Sequence, residues 1–171
     1  MNKPLIDFYS GRGSDHDGRT LDQILSWPDD QLEQVHDYIQ WVFPLQERSA
    51  YNRRAPILDA ETILLFRATP RLQDQLRRSF RRILAFYGFS FTEADGEVSV
   101  VKADSFGAQS RYWLNEYDHN HLRITRILKC ACLLGLRTHA LALHRMLEEL
   151  YVTHGDVIGD ETLAYWREAV Q

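Results

Sequence analysis

Leu72, Leu76, Phe80, Ile83, Leu84 and Tyr87 recur every three or four positions, the spacing that lines one face of an α-helix. Thr69-Pro70 supplies a cap and a pre-set φ before this run, and Gly88 a left-handed stop after it, so a long helix is predicted over residues 70–87. The same spacing predicts a helix from about Asn120 to a stop at Gly135, with Ile124, Ile127, Leu128, Ala131 and Leu134 inward. Another is expected over residues 138–152, burying Leu143, Leu147, Leu150 and Tyr151, and a last one is capped by Asp160 and buries Leu163, Trp166 and Ala169. Shorter helices are expected after Thr20, after Asp59, and from Asp104 or Ser105 through Leu114.

Proline at position 28 and acids at 29, 30 and 33 open a helix expected to run to about Phe43. Its wheel places Leu32, Val35, Ile39, Val42 and Phe43 on one face, with His36 on the edge of that face and Gln40 one turn on, so His36 is expected to be at least partly buried. From Phe89 to Val101 the period drops to two around Asp95-Gly96, a strong hairpin signal. These elements predict a mainly α fold: a single-domain helical bundle of about seven helices, residues 1–171, with one small β-hairpin near residues 89–101. The N-terminal segment, residues 1–19, rich in Gly and Asp, reads as a loop.

Composition narrows the class. With 171 residues, 44% hydrophobic and 26% charged, the chain can bury an ordinary core without staples. No apolar run approaches the roughly 18 residues of a membrane span, and the first residues carry no secretory signal, so the expectation is no transmembrane segment and a cytoplasmic location. Cys130 and Cys132, two apart on a helix, cannot bridge each other and are expected as free thiols. Net charge is −4 but polarised: residues 15–47 hold eight acids against Arg19 alone, and residues 67–82 six arginines against Asp74 alone. Either these surfaces complement each other within the fold or they mark a binding site.

Two segments concentrate polar chemistry. His36, Gln40 and Trp41 fall in one stretch, and His119, Asn120, His121, Arg123 and Arg126 in another, so the eight are candidate ligand-binding residues around one pocket. A helix starting at Asn120 would present free N–H groups and a positive dipole end, with Arg123 and Arg126 one turn apart, a geometry suited to a small anionic or peptide ligand. An alternative is a metal-dependent or acid/base enzyme using His36, Asp37, His119 and His121, although imidazoles one residue apart on a helix diverge by about 200°. A third is nucleic-acid binding through the arginines of residues 67–82, against which the net negative charge argues. Asp15-His16-Asp17-Gly18 opens like a calcium loop but lacks the bidentate Glu at the required spacing. Neither a nucleophile elbow nor a phosphate loop is found, and no cofactor or catalytic residue is expected.

Gly18-Arg19-Thr20-Leu21, residues 36–45 (HDYIQWVFPL), Asn52 with Ala55-Pro56, residues 79–88 and residues 119–129 together resemble the conserved N-terminal region of the opioid growth factor receptor family, in the same order and over nearly the whole chain. The resemblance implies a receptor-like domain. Animal members are described as intracellular, nuclear-envelope-associated receptors for the pentapeptide Met-enkephalin. The expectation is a compact bacterial member without the nuclear-localisation sequences and long C-terminal extension of the animal proteins.

Overall fold

The computed structural model describes all residues, 1–171, as a mainly α fold with one two-stranded antiparallel sheet. Ten α-helices form where about seven were expected, because several short ones interrupt segments read as loop or as continuous helix. The chain divides into two compact units, residues 1–80 with 133–135, and residues 81–132 with 136–171. None of its helices is long and apolar enough to cross a membrane.

In the first unit, α1 (Lys3–Tyr9) occupies part of the segment expected as loop. The Asn2 side chain accepts the Leu5 N–H, Pro4 sits in the first turn, and Leu5, Ile6, Phe8 and Tyr9 are buried. A single apolar cluster is too short to show a period, so its capping chemistry had to carry the signal. Next, α2 (Leu21–Leu25) is closed by a capping box between Thr20 and Gln23.

The helix expected from Pro28 to Phe43 is broken. It stops as α3 (Asp29–Gln34), Val35 is extended at φ −89° and ψ 126°, and only Ile39–Val42 is helical again as α4. Side chains close the gap: Tyr38 Oη donates to the Leu32 carbonyl and Gln40 Nε2 to the His36 carbonyl. His36 therefore lies in the interruption and is exposed, which corrects its expected burial on a helix wheel. Further on, α5 (Ala60–Ala68) is capped by Asp59, and α6 (Pro70–Phe86) buries the stripe expected for it, with Leu72, Leu76 and Phe80 in this unit.

In the second unit, β1 (Phe89–Ala94) pairs with β2 (Glu97–Lys102), Ala94 facing Glu97 across Asp95-Gly96. Both turn residues have positive φ, 52° and 81°, as a two-residue hairpin of matching twist requires. Short α7 (Phe106–Gln109) and a 3₁₀ turn (Ser110–Tyr112) follow. The helix expected through Leu114 thus ends before Trp113, which turns inward and is fully buried.

Next, α8 (His119–Leu134) starts one residue earlier than expected. Its cap is Asp118, whose Oδ1 accepts the Asn120 N–H at 2.8 Å. Then α9 (Arg137–Ile158) extends beyond Val152 and bends at His154, where φ is −133°. Gly159 precedes α10 (Asp160–Ala169), so Asp160 is its first helical residue rather than its cap.

Candidate functional site

Trp41 belongs to a polar network in the first unit that the sequence only hinted at. Its indole N–H donates to His16 Nδ1 at 2.9 Å, and the two rings stack. Since an indole can only donate, Nδ1 must be the acceptor and the ring proton must sit on Nε2. That Nε2 faces Asp37 at 3.3 Å and Asp17 at 3.5 Å. Arg19 lies between the acids, bonding Asp15 at 2.6 Å and Asp37 at 2.9 Å, and Asn52 donates to the Asp37 carbonyl at 2.9 Å. Burial alone would raise the Asp37 pKa, but the Arg19 hydrogen bond holds its carboxyl below the usual range.

His16, Asp17 and Asp37 bring possible metal-ligand atoms within 4.8 Å of one another. The group nevertheless does not fit a metal. Binding at Nε2 would move the proton to Nδ1, where it would meet the Trp41 N–H, and the Arg19 guanidinium already holds the Asp37 carboxylate. The arrangement instead ties the N-terminal loop, the α3–α4 interruption and the Asn52 loop together by charge-assisted hydrogen bonds.

The other candidates start α8 in the second unit. Asn120 is fully buried, its Oδ1 accepting from Tyr87 Oη at 3.3 Å and from Arg123 at 3.2 Å. Asp118 takes both the Asn120 N–H and its Nδ2, so the chain's own carboxylate occupies the helix end that was expected to face an anion. His119 stands beside Asp118 at 3.7 Å, and Arg126 is half-buried one turn beyond the buried Arg123. His121 is wedged edge-on between Trp113 and Trp166, and its ring hydrogen-bonds to the Trp113 backbone. The sequence-derived residues thus fall into two groups, His36, Gln40 and Trp41 in one unit and the other five in the second.

Burial lowers the His121 pKa from its ordinary 6.5, with Asp118 opposing. A base with a depressed folded pKa contributes stability that is present above 6.5 and lost as pH falls through the folded value. His144, also depressed by burial, adds to the same slope. Unfolding free energy is therefore expected to drop between about pH 7 and about pH 5.5, less steeply in His121→Asn, which can keep a donor toward Trp113 but does not titrate. Urea titrations at the two pH values check this; equal slopes for both proteins would contradict it.

Burial pushes the Cys130 thiol far above its ordinary range, away from the thiolate that a nucleophile requires. The arginine run is largely spent within the fold: Arg67 donates to the Leu133 carbonyl, Arg71 to the Ser10 carbonyl, Arg77 pairs with Asp74 and Arg78 with Asp22. Arg81 lies over the Phe91 ring at 4.6 Å. Of these contacts, the Arg78–Asp22 pair joins the basic run to the acidic segment.

A cavity of about 400 Å³ in the second unit was not foreseen. Glu116 and Tyr117, ahead of α8, form one side, and residues 156–162, around the α9–α10 corner, the other. Asp156, Asp160 and Glu161 join Glu116 in its wall, and none of its lining residues is basic. Tyr151 Oη donates to Asp160 and Tyr165 Oη to Glu161, whereas Glu116 and Asp156 make no ion pair. Sequence reasoning took Asp160 only as a helix cap and passed over Glu116, Asp156 and Glu161, because only the corner at Gly159 brings residues 156–162 toward Glu116.

Comparison with known proteins places the chain. Opioid growth factor receptor of Rattus norvegicus is 40% identical over 142 residues, covering 80% of this chain and 24% of the rat protein. The Homo sapiens protein of the same name is 39% identical over 135 residues, 77% of this chain and 19% of its own length. Opioid growth factor receptor-like protein 1 of Xenopus tropicalis is 37% identical over 123 residues, 70% of this chain and 23% of its own. The chain thus spans about a quarter or less of these relatives' length. They are vertebrate proteins, and nothing in the comparisons supports the expected bacterial origin. No solved structure matches. The profile of the opioid growth factor receptor conserved region matches residues 2–171, and with 35–40% identity to several relatives this chain belongs to that family.

Proposed function

We propose that the chain is a ligand-binding domain whose ligand is a peptide carrying positive charge, bound in the cavity between Glu116-Tyr117 and residues 156–162. The observation that carries this reading is the composition of that wall: four carboxylates, no basic residue, and room for a few side chains. Electrostatic complementarity selects a lysine, arginine or terminal ammonium group. The relatives' name, opioid growth factor receptor, supports a receptor role in general.

The test uses a fluorescently labelled octapeptide alternating lysine with alanine, and a twin with glutamate for lysine, measured by anisotropy at low salt. The lysine peptide binds and its twin does not, and Glu116→Lys with Asp156→Lys weakens binding at least about tenfold, or 1.4 kcal/mol. Equal affinity for both peptides, or no effect of the double charge reversal, overturns the reading.

The eight residues His36, Gln40, Trp41, His119, Asn120, His121, Arg123 and Arg126 support a second reading through one observation. Gln40 Oε1 and His121 Nε2 are buried, each within its own unit, without a hydrogen-bond partner. With the other His121 nitrogen donating to the Trp113 backbone, both atoms are acceptors. Within its own unit, each acceptor favours a small ligand that presents an N–H or O–H group rather than a bare anion such as phosphate. If instead phosphate or acetate binds and Arg123→Ala with Arg126→Ala abolishes that binding in a folded protein, the anion-binding version of this reading stands.

A further inference from the structure

Tyr117 is an outlier on three counts. Its side chain is 98% exposed, the most exposed large hydrophobic residue of the chain, and its hydroxyl makes no hydrogen bond. Its backbone lies in the left-handed region at φ 56°, shared among non-glycine residues only with Asp95 of the hairpin turn. An aromatic residue in that conformation costs stability, and one fully in solvent returns none of it to the fold.

The surrounding loop is pinned at both ends. Trp113 Nε1 donates to the Tyr87 carbonyl at 3.0 Å, and Asp118 caps α8. Asn115 Nδ2 links the Arg111 carbonyl to Asp118. The ring is thereby held out from the surface between Glu116 and Asp118, and Glu116 shares the cavity wall with Asp156, Asp160 and Glu161.

We propose that Tyr117 is a phosphoacceptor for a protein tyrosine kinase whose peptide-binding cleft is basic. Tyr117 Oη attacks the γ-phosphorus of ATP; an O–P bond forms as the bond to the β-phosphate oxygen breaks, ADP leaves, and the phenolic proton passes to the kinase's carboxylate base. The acceptor requirements are met by an outward hydroxyl with no bond to break and by acidic flanks complementary to a basic cleft. Tyr51, 81% exposed, provides the contrast, because Arg53 and Arg54 follow it and would be repelled there. The product places a dianion beside the Asp118 cap and creates an acceptor for guanidinium groups. This inference does not depend on the ligand reading above.

The full chain is incubated with ATP and a tyrosine kinase that prefers acidic peptides, and followed by intact mass and fragment sequencing. One phosphoryl group enters, on Tyr117; Tyr117→Phe, which unfolds at the same temperature as the parent, takes up none; and Glu116→Lys reacts about tenfold more slowly. A peptide of residues 111–121 serves as the reference substrate. Modification of that peptide but not of the folded chain, of neither, or of Tyr51 or another tyrosine ahead of Tyr117, overturns the proposal.

Discussion

Trp113→Ala is expected to lower the unfolding free energy by about 4 kcal/mol, within the range for removing a large buried aromatic. The ring is fully buried against Tyr87 at 5.6 Å, Phe89 at 5.9 Å and His121 at 6.5 Å, measured between ring centres. Its removal opens a void among three rings that cannot collapse together, since they come from α6, β1 and α8 or the turns beside them. It also leaves the Tyr87 carbonyl without the indole N–H that now reaches it at 3.0 Å. Trp113→Phe keeps most of the volume and loses only that bond, so it should cost about 2 kcal/mol. Urea denaturation followed by far-UV circular dichroism separates the two; equal losses would mean that packing around the ring is not what holds it.

Gly88→Ala should cost about 3 kcal/mol, although it adds only a methyl group. Gly88 ends α6 at φ 84°, and a Cβ there would lie 2.7 Å from the Phe106 Cα and 3.1 Å from the Gln109 Cβ. The first of these is backbone and cannot rotate away. The Gly88 carbonyl also accepts the Ala103 N–H at 2.9 Å, which fixes α6 to the end of the hairpin. Gly96→Ala is the control, because φ is 81° there but no atom lies within 4 Å of the added carbon. That variant should lose only the conformational part, about 1 kcal/mol. Thermal unfolding of both variants tests the difference, and similar shifts would place the whole effect in the dihedral angle.

The long elements were legible because their signals repeat. The stripe from Leu72 to Tyr87, the inward residues of α8, and the Asp95-Gly96 hairpin each combine a period with a stop residue, and each appears where expected. The first helix was not, since the seven residues of α1 are shorter than the window in which a period can be recognised. The break at Val35 was hidden for a related reason: an apolar residue at the right spacing satisfied the wheel, while tertiary hydrogen bonds from Tyr38 and Gln40 decided the backbone.

Trp41 and Asn120 were recognised as residues with polar obligations, but their partners were not, because His16 is 25 positions from Trp41 and Tyr87 is 33 from Asn120. Asp118 was overlooked as a cap in favour of Asn120, two residues on and of similar chemistry. The acidic cavity wall has no local pattern at all, being assembled from Glu116 and a helix corner about 40 residues away.

Three of the four tryptophans lie against an imidazole: Trp41 on His16, and Trp113 and Trp166 on either side of His121. A protonated imidazole withdraws an electron from an excited indole, whereas a neutral one does so poorly. Protonation of His121 is thus coupled to the brightness of the protein's own ultraviolet emission, through the two tryptophans that flank it in the second unit. The molecule therefore carries an optical gauge of its buried His121, with no added label.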